Sequence, residues 1–404
     1  MRNDADATTD ALPATLTAAR RPSACTRPHL LPISLSMNAP TVTDTALKHI
    51  FDEGCFARVA DLLRTAAPQC DAERFMALSL QDLDTLSLMQ RLRRMADSLH
   101  AVLPDDYSEA LDILVAIAPG IKPVFATLAL PDFVARYGLH AYDESMQALK
   151  YFTPFGSSEY GVRPFIRQDP ARALRTMRAW AGDTDPHVRR LASEGTRPRL
   201  PWSFHLDALA QDPELAAPIL EALRSDDSLY VRKSVANHLN DVTKLHPTWV
   251  MDRLERWPLD NVHCAWIARH ALRTLIKRGD KRALAIVGAG TRAEITLGRF
   301  AVAPDTLRLG DTLTLHVDIT STGQAAQRLE IDYRLHYVRA GANLSTKVFK
   351  LRACTIAPGE RLVITRKQVI RDFSTRKHYA GRHEIDLMIN GDTLGHAQFD
   401  LRIG

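Results

Sequence analysis

Apolar residues recur every three or four positions along residues 44–284, as in DTALKHIFDEGCFARVADLLRTA, LSLMQRLRRMADSLHAVL, YSEALDILVAIAP and DPARALRTMRAWAGD. This period is typical of amphipathic helices. Pro, Gly and Asp-Pro breaks separate the segments, as expected of the connections between helices. No segment of this region shows a convincing strand pattern. The sequence therefore predicts that this part of the chain is helical throughout.

The pattern changes to a period of two after the segment GAGTRAE, which ends at residue 294. Apolar and polar residues alternate in TLRLGDTLTLHVDITSTGQ, RLEIDYRLHYV, KVFKLRACTIAPGERLVITRKQVI and HEIDLMINGDTLGHAQFDLRI, around PGE and NGD turns. Alternation between such turns indicates β-strands. About seven strands in roughly 110 residues predict a β-sandwich of immunoglobulin type. Cys354 is the single cysteine of this region, so the inter-sheet disulfide of antibody domains cannot form.

The helical region contains an internal repeat with an offset of about 43 residues, within the range of HEAT-type helical repeats. Aligning DTDPHVRRLASEGT with DDSLYVRKSVANHLND pairs Asp183 with Asp226, Val188 with Val231, Arg189 and Arg190 with Arg232 and Lys233, and Ala192 with Val235. A weaker third copy, WIARHALRTLIKRGD, begins at Trp266. Equivalent helices that stack side by side form an α-solenoid. The basic residue beside each core position then predicts a continuous basic concave face.

These patterns divide the chain into residues 1–43, 44–288 and 289–404. The first 36 residues are rich in Ala, Thr, Pro and Ser and contain three aspartates, which suits neither a secretory signal nor a transit peptide. We predict a disordered extension at 1–43, a HEAT-like repeat domain at 44–288 and an immunoglobulin-like sandwich at 289–404. Met37 directly follows the polar segment, so an upstream start and a functional tail both remain open explanations.

The composition is that of a soluble globular protein, with 46% hydrophobic and 25% charged residues. No run approaches the ~18 apolar residues needed to cross a bilayer, so we predict no membrane association. The five cysteines, at positions 25, 55, 70, 264 and 354, form no CxxC motif. Their scatter fits a reducing compartment and argues against a structural zinc site. We therefore expect a cytoplasmic protein, and a monomer.

The net charge is +5, but its distribution is more informative than its sum. Acidic residues crowd LPDDYSEALD and SLQDLDTLSL in the first part, and basic residues concentrate after about residue 160, as on a scaffold with one basic face. Recurrence at the repeat period favours a tract that follows a phosphate backbone, although a solvated face is the alternative for any single residue. The candidate DNA-binding residues of this region are Arg163, Arg189, Arg190, Arg197, Arg199, Arg232, Lys233, Arg269, Arg273 and Lys277.

Three acidic residues lie among these basic residues: Glu159 in SSEYGVRPFI, Glu194 in HVRRLASEGTRPRLPW and Asp241 in VANHLND. Glu159 has a simple alternative as a helix cap or as the i,i+4 partner of Arg163. The simple alternative for Glu194 is a surface ion pair with Arg190, although an i,i+4 pair on a helix is less favourable when the basic residue precedes the acidic one. Carboxylates near a helix end gain nothing from the helix dipole. The repeat alignment places Asp241 about one turn beyond the equivalent of Glu194, so stacking could bring both to one pocket.

Trp202 follows two prolines in RPRLPWSF, where it is either a core plug or a platform for stacking. Glycine-rich phosphate loops and GxSxG elbows are absent from the sequence. We predict neither a metal site nor a cofactor, because metal-ligand spacing is lacking among His187, His238, His246 and His270.

The segments SSEYGVRPFI, HVRRLASEGTRPRLPW, YVRKSVANHLNDVTK and ARHALRTLIKRG resemble those of the AlkC-type DNA-3-methyladenine glycosylases, relatives of AlkD within the HEAT-like alkylpurine glycosylase superfamily. The resemblance covers about 44–284 and extends to the end of the chain in the subfamily with an immunoglobulin-like tail. The N-terminal extension departs from the family pattern. The resemblance implies a mainly α fold, with an α-solenoid of HEAT-like repeats followed by an all-β immunoglobulin-like sandwich.

The resemblance also implies base excision repair of alkylation damage, by hydrolysis of N-glycosidic bonds at 3-methyladenine in double-stranded DNA, with 3-methylcytosine as a second expected lesion. It assigns Glu159, Glu194, Asp241 and Trp202 to the catalytic site, and it implies that no deep base-flipping pocket is needed. The chemistry agrees, because N3 methylation makes the base a cation and its departure leaves positive charge on the sugar. Carboxylates stabilise that charge and position water, and an indole offers a π face.

The segment FSTRKHYAGRHEI of the sandwich contains Arg376 and Lys377, which we also expect to contact DNA, with a merely soluble hairpin as an equal alternative. DNA binding would place the protein at the nucleoid. Two rival functions remain: a non-catalytic HEAT-repeat adaptor or nucleic-acid-binding protein, and a relative that binds damaged DNA without hydrolysis.

Overall fold

The chain is described by a computed structural model over residues 47–340, 344–373 and 377–403. Within these ranges sixteen α-helices precede eight β-strands, which confirms the predicted mainly α fold with a terminal all-β sandwich. The change from helices to strands lies between Ile286 and Ile295. The domain boundary at residue 288 stays a prediction, and the predicted extension at 1–43 lies outside the described residues.

The helices are α1 to α16, in chain order Glu53–Ala66, Ala72–Leu80, Leu88–His100, Tyr107–Ile117, Ala129–Tyr137, Tyr142–Phe152, Arg163–Gln168, Pro170–Trp180, Pro186–Gly195, Asp207–Gln211, Ala217–Ala222, Leu229–Val242, Pro247–Glu255, Val262–Ala271, Arg273–Arg278 and Lys281–Ile286. Short 3-10 helices lie at Leu83–Thr85, Ala118–Gly120, Val124–Leu128, Thr153–Phe155 and Pro213–Ala216. The strands are β1 to β8, at Ile295–Ala303, Thr306–Arg308, Thr312–Ser321, Gln327–Val338, Leu344–Ile356, Arg361–Val369, Gly381–Ile389 and Asp392–Arg402. None of these helices is long and apolar enough to cross a bilayer.

Capping carboxylates fix where several helices begin. Within the first predicted helical segment, α1 begins at Glu53, where the Asp52 carboxylate accepts a hydrogen bond from the Cys55 amide at 2.7 Å. Asp185 likewise caps α9 by accepting from the His187 amide, with Pro186 in the first turn. Both features are common helix starts.

The predicted repeat is confirmed, since the equivalent helices α9 and α12 pack side by side and α14 packs against α12. The aligned residues Val188 and Val231 are both buried. The paired arginines also make equivalent contacts: Arg189 donates to the carbonyls of residues 183 and 184, and Arg232 donates to those of 226 and 227. The third helix begins at Val262, before the predicted third copy.

The sandwich consists of a three-stranded sheet in the order β1-β3-β6 and a five-stranded sheet in the order β2-β8-β7-β4-β5. All pairs are antiparallel except β2 with β8. Inward-facing residues such as Leu315, Leu335 and Phe399 form its core. The alternating segments did not include β1, because a bulge between Leu297 and Arg299 interrupts its period of two.

The helices meet the sandwich through a close backbone contact between two glycines of positive φ, Gly279 after α15 and Gly391 in the β7–β8 turn. A Cβ on Gly391 would lie 3.0 Å from the Gly279 Cα and 2.9 Å from a Leu284 methyl carbon. Lys281 adds a 2.6 Å ion pair with Asp392. The contact leaves no room for a side chain, so the turn and the helix end fit together in one arrangement.

Gly391→Ala should therefore lower the melting temperature more than Gly359→Ala. Both glycines have positive φ, so both substitutions introduce the same kind of backbone strain. A Cβ on Gly359 meets nothing within 4 Å, whereas one on Gly391 displaces Leu284 or the facing backbone. The difference between the two melting temperatures measures the contact itself, and equal losses would contradict this account of the junction.

Candidate active site

The three acidic residues singled out from the sequence lie together. Glu159 is in the turn before α7, Glu194 is in the last turn of α9, and Asp241 is in the last turn of α12. Their exposed fractions are 9%, 6% and 6%, so all three carboxylates are buried. Arg197 joins two of them, since its Nη1 donates to Glu194 Oε1 at 2.7 Å and its Nε donates to Asp241 Oδ2 at 2.9 Å. The stacking inferred from the repeat alignment does bring Glu194 and Asp241 to one place.

Acidic and basic side chains alternate across the site. Arg190 donates to both Glu159 oxygens, at 2.9 and 3.3 Å, and lies 3.6 Å from Glu194 Oε1. At the other end, the Lys244 Nζ lies 3.2 Å from Asp241 Oδ1. We call this row the charge ladder, and its members in order are Glu159, Arg190, Glu194, Arg197, Asp241 and Lys244.

The simple alternatives for two of the acids are not what the structure shows. Glu159 does not pair with Arg163 but with Arg190, on a different helix. The pair of Glu194 with Arg190 does form, but it is longer than the contact of Glu194 with Arg197 and it is buried instead of solvated. Burial makes these pairs sensitive to the loss of any one partner.

The electrostatics keep Glu194 ionised. Burial by itself raises the pKa of this carboxyl, but Arg190 and Arg197 outweigh burial and hold the pKa below its ordinary value. Burial works against the charged forms of the two arginines, yet the neighbouring carboxylates raise the pKa of both. Arg190, Glu194 and Arg197 are therefore all charged at neutral pH, and together they form a fixed arrangement of charges at the centre of the ladder.

Trp202 lies on the loop that follows α9, and it is not a core plug. Its side chain is 60% exposed, and its backbone has a φ of +65°, in the left-handed region. Such a conformation is an outlier for a bulky residue and is found mostly where the surroundings enforce it. The Tyr160 hydroxyl donates to the Pro201 carbonyl at 3.3 Å, which ties this loop to the residue next to Glu159. The indole is thus presented to solvent on a loop that is tied to the residue next to Glu159.

Several arginines predicted to bind phosphates are committed to other partners. The prediction for Arg163 is wrong, because its side chain is fully buried and donates to main-chain carbonyls. Arg189 pairs with Asp226 and, like Arg232, holds the turn before its own helix. Arg190 and Arg197 face carboxylates within the ladder.

Other predicted residues divide between the junction and the surface. Arg269 faces Glu330 of the sandwich at 3.6 Å, and Arg273 donates to the His270 carbonyl and to Asn237. Four of the predicted DNA-binding residues keep solvent-accessible side chains: Lys233 and Lys377 are exposed, and Arg199 and Lys277 are half-buried. Arg376 lies outside the described residues. Across the described part of the chain, no group of His, Cys, Asp or Glu is arranged to hold a metal ion.

Sequence reasoning missed two contributors to the site. Lys244 ends the ladder, and its i+3 spacing from Asp241 is a signal that could have identified it. Tyr230 lies under the guanidinium of Arg190, with the Arg190 Cζ 5.1 Å from the ring centre. No local spacing indicates this second contact, because the two residues come from different helices.

Comparison with known proteins identifies the family. The profile described as "DNA alkylation repair enzyme" matches residues 145–278, and that of the C-terminal Ig-like domain of the uncharacterised protein YhaZ matches residues 296–403. The chain is 49% identical to Pseudomonas fluorescens alkylpurine DNA glycosylase AlkC, solved bound to DNA containing an abasic site analog. That match covers 88% of this chain and 99% of the other, with a TM-score of 0.84. The chain belongs to the AlkC family.

A second relative of this AlkC-family chain is the uncharacterised protein YhaZ of Bacillus subtilis (strain 168). It is 40% identical over 356 residues, which are 88% of this chain and 99% of YhaZ. The AlkC resemblance inferred from four sequence segments is therefore confirmed, and it extends through the sandwich.

Proposed function

We propose that this protein is a DNA glycosylase that hydrolyses the N-glycosidic bond of N3-methylated bases, 3-methyladenine and 3-methylcytosine, in duplex DNA. The observation that supports this most strongly is the charge ladder, which joins three buried carboxylates and is followed along the chain by a loop with an exposed tryptophan. Membership of the AlkC family supports DNA as the partner, since AlkC itself was solved on DNA containing an abasic site analog.

The proposed mechanism relies on the positive charge of the methylated base and needs no general acid to protonate the leaving group. An N3-methylated base already has a positive charge, so it accepts the electron pair of the glycosidic bond and leaves neutral without being protonated. Positive charge then develops on C1′ and the ring oxygen of deoxyribose. Fixed carboxylates of the ladder stabilise this charge, and pre-oriented groups of this kind are effective because they need not reorganise during the reaction.

Water completes the hydrolysis. Its oxygen bonds to C1′, and a carboxylate of the ladder accepts its proton, which leaves an abasic site and a free base. Arg190 and Arg197 orient the carboxylates by donating hydrogen bonds to them. The exposed face of Trp202 is suited to attract the cationic base or sugar through its π electrons.

The basic residues that keep accessible surface are the proposed phosphate contacts. Arg199 follows the loop residue Arg197 by two positions, Lys233 lies on α12, and Lys277 lies on α15 near the sandwich. Lys377 belongs to the sandwich loop and has an exposed side chain. A duplex held between helices and sandwich would contact both parts of the molecule, and DNA binding would place the protein at the nucleoid.

The full chain, incubated with N-methylated duplex DNA, should release 3-methyladenine and 3-methylcytosine as free bases, resolved by chromatography. The rate should be unchanged by EDTA, because the proposed chemistry uses carboxylates and not a metal. A chain that binds a duplex with an abasic-site analogue but releases no base would instead be the non-hydrolytic relative. An adaptor would show neither base release nor preference for that duplex, and full inhibition by EDTA would contradict the carboxylate mechanism.

A further inference from the structure

Arg163 has a buried guanidinium that binds only main-chain oxygens. Its Nη1 donates to the Gly195 carbonyl at 3.0 Å and to the Arg197 carbonyl at 2.7 Å, and its Nη2 donates to the Phe204 carbonyl at 2.5 Å. The side chain has no exposed surface, and no described acid lies within ion-pair distance of it. Its hydrogen bonds are therefore all to main-chain carbonyls, and Glu194 and Asp241 attract its charge only from beyond ion-pair distance.

Those three carbonyls bracket the loop that contains Trp202. Two of them lie before the tryptophan, at the end of α9 and at the ladder residue Arg197, and the third lies two residues after it. One planar guanidinium thus fixes both ends of a ten-residue segment, from Gly195 to Phe204. A planar fork can hold several acceptors at fixed angles, which a lysine ammonium cannot do.

Further contacts hold the same loop. The Tyr160 hydroxyl donates to the Pro201 carbonyl at 3.3 Å. The Phe204 ring lies against two guanidiniums, with centroid distances of 5.4 Å to Arg163 and 4.3 Å to Arg167. These contacts link the loop to residues 159–167. The Trp202 loop is therefore anchored on the same segment of the chain that contains Glu159, the first acid of the ladder.

Burial is unfavourable for a guanidinium, and this cost indicates that the geometry is specific. Desolvation, followed by repulsion from Arg197, lowers the pKa of Arg163 to about 10. The group remains protonated at neutral pH, and Nη1 and Nη2 make its three hydrogen bonds. A loop that needed only stability could be anchored by apolar packing, which is often as stable as a buried charge.

We propose that Arg163 is a positioning residue, which holds Trp202 in the orientation that the reaction needs. This rests on the proposed glycosylase function. Arg163 touches neither DNA nor the reacting atoms, because its side chain is fully buried. It acts by fixing the loop, and the predicted consequence is a loss of rate without a loss of duplex binding.

Arg163→Lys is the first test. Single-turnover release of 3-methyladenine should fall by about 10- to 100-fold, because small displacements of catalytic groups have effects of that size. Duplex affinity, measured by titration, should stay within about twofold of the parent, because a buried residue contributes no counterion release.

Arg91→Lys is the matched control. Arg91 is also buried, and its Nη1 donates to the carbonyls of Lys48 and Phe51 at 3.3 and 2.9 Å, in a part of the chain far in sequence from the ladder. Its substitution should lower the melting temperature while the rate per folded molecule stays at the parent value. An equal rate loss in both variants would reduce Arg163 to a general structural role and overturn the proposal.

A double-mutant cycle with Trp202→Ala decides whether Arg163 acts through the loop. If it does, Arg163→Lys should lower the rate of base release by a much smaller factor in the Trp202→Ala background than in the parent. The effects of substitutions at residues that act together are non-additive. Additive losses would overturn the proposal while leaving the glycosylase function intact. An inactive parent chain would overturn both.

Tyr160→Phe is a second variant that keeps the proposal testable should Arg163→Lys fail to fold. It removes one hydroxyl, the donor to the Pro201 carbonyl, and preserves the ring. Its rate loss should be smaller than that of Arg163→Lys but of the same kind, with unchanged duplex binding and with non-additivity toward Trp202→Ala. Losses that simply add would again contradict positioning through the loop.

Discussion

Glu194→Gln and Asp241→Asn should each slow single-turnover release of 3-methyladenine by about 100-fold or more, the usual size of effect for a lost electrostatic catalytic group. Both amides keep the shape of the parent side chain but lack the charge that opposes the sugar cation. Duplex affinity should hold or rise, because a negative charge near the DNA phosphates has been removed. Quenched time courses and duplex titrations measure the two quantities separately.

Asp226→Asn is the control for these amides. Asp226 is an acid whose side chain is only 5% exposed, and its carboxylate pairs with Arg189. Arg189 lies near the start of α9, at the opposite end of that helix from Glu194. Its substitution should cost stability and leave excision per folded molecule unchanged. Equal rate losses in Asp226→Asn and Glu194→Gln would show that the effect is structural and not electrostatic.

Arg197→Ala should have the largest effect on stability, about 3–5 kcal/mol, because it leaves two buried carboxylates without their shared partner. For a domain of this size that is a fall in melting temperature of roughly 6 to 20 °C. Excision should fall as well, since Glu194 and Asp241 lose the donors that orient them. Calorimetry and the base-release assay at a temperature below both transitions measure the two effects.

The comparison for Arg197 is Arg172→Ala. Arg172 forms an ion pair with Asp143 at 2.8 Å, but both side chains are exposed, and such pairs contribute about 0–1 kcal/mol. The melting temperature should therefore barely move. If Arg197→Ala instead left the melting temperature unchanged and only weakened duplex binding in a salt-dependent way, the phosphate-binding role predicted from sequence would be right and the role within the ladder wrong.

Much of the fold could be predicted because it depends on periodicity. Helical spacing and alternating strands identified both architectures, and the 43-residue offset aligned α9 with α12 closely enough to place Glu194 near Asp241. The strand β1 was missed because its bulge shifts the alternation by one residue. The local hydrophobic pattern is thus sufficient to predict helices and strands where the backbone is regular, and it fails where a bulge interrupts the strand.

The partners of the arginines could not be predicted in the same way. Sequence spacing indicates that basic residues recur, but not whether a given guanidinium points toward solvent, a carboxylate or a carbonyl. Arg163 and Arg190 were both expected to bind phosphates, yet the first holds a loop and the second holds Glu159. These contacts span 31 residues or more and depend on how the helices pack, which no short motif specifies.

The most direct test of the account is single-turnover base release from one methylated duplex by the parent chain and by the double variant Glu194→Gln with Asp241→Asn, with enzyme in excess of DNA. The parent should release 3-methyladenine, and the double variant should bind the same duplex as tightly but release the base no faster than it is lost spontaneously. Release by the double variant at the parent rate would contradict the claim that the buried carboxylates of the charge ladder perform the chemistry.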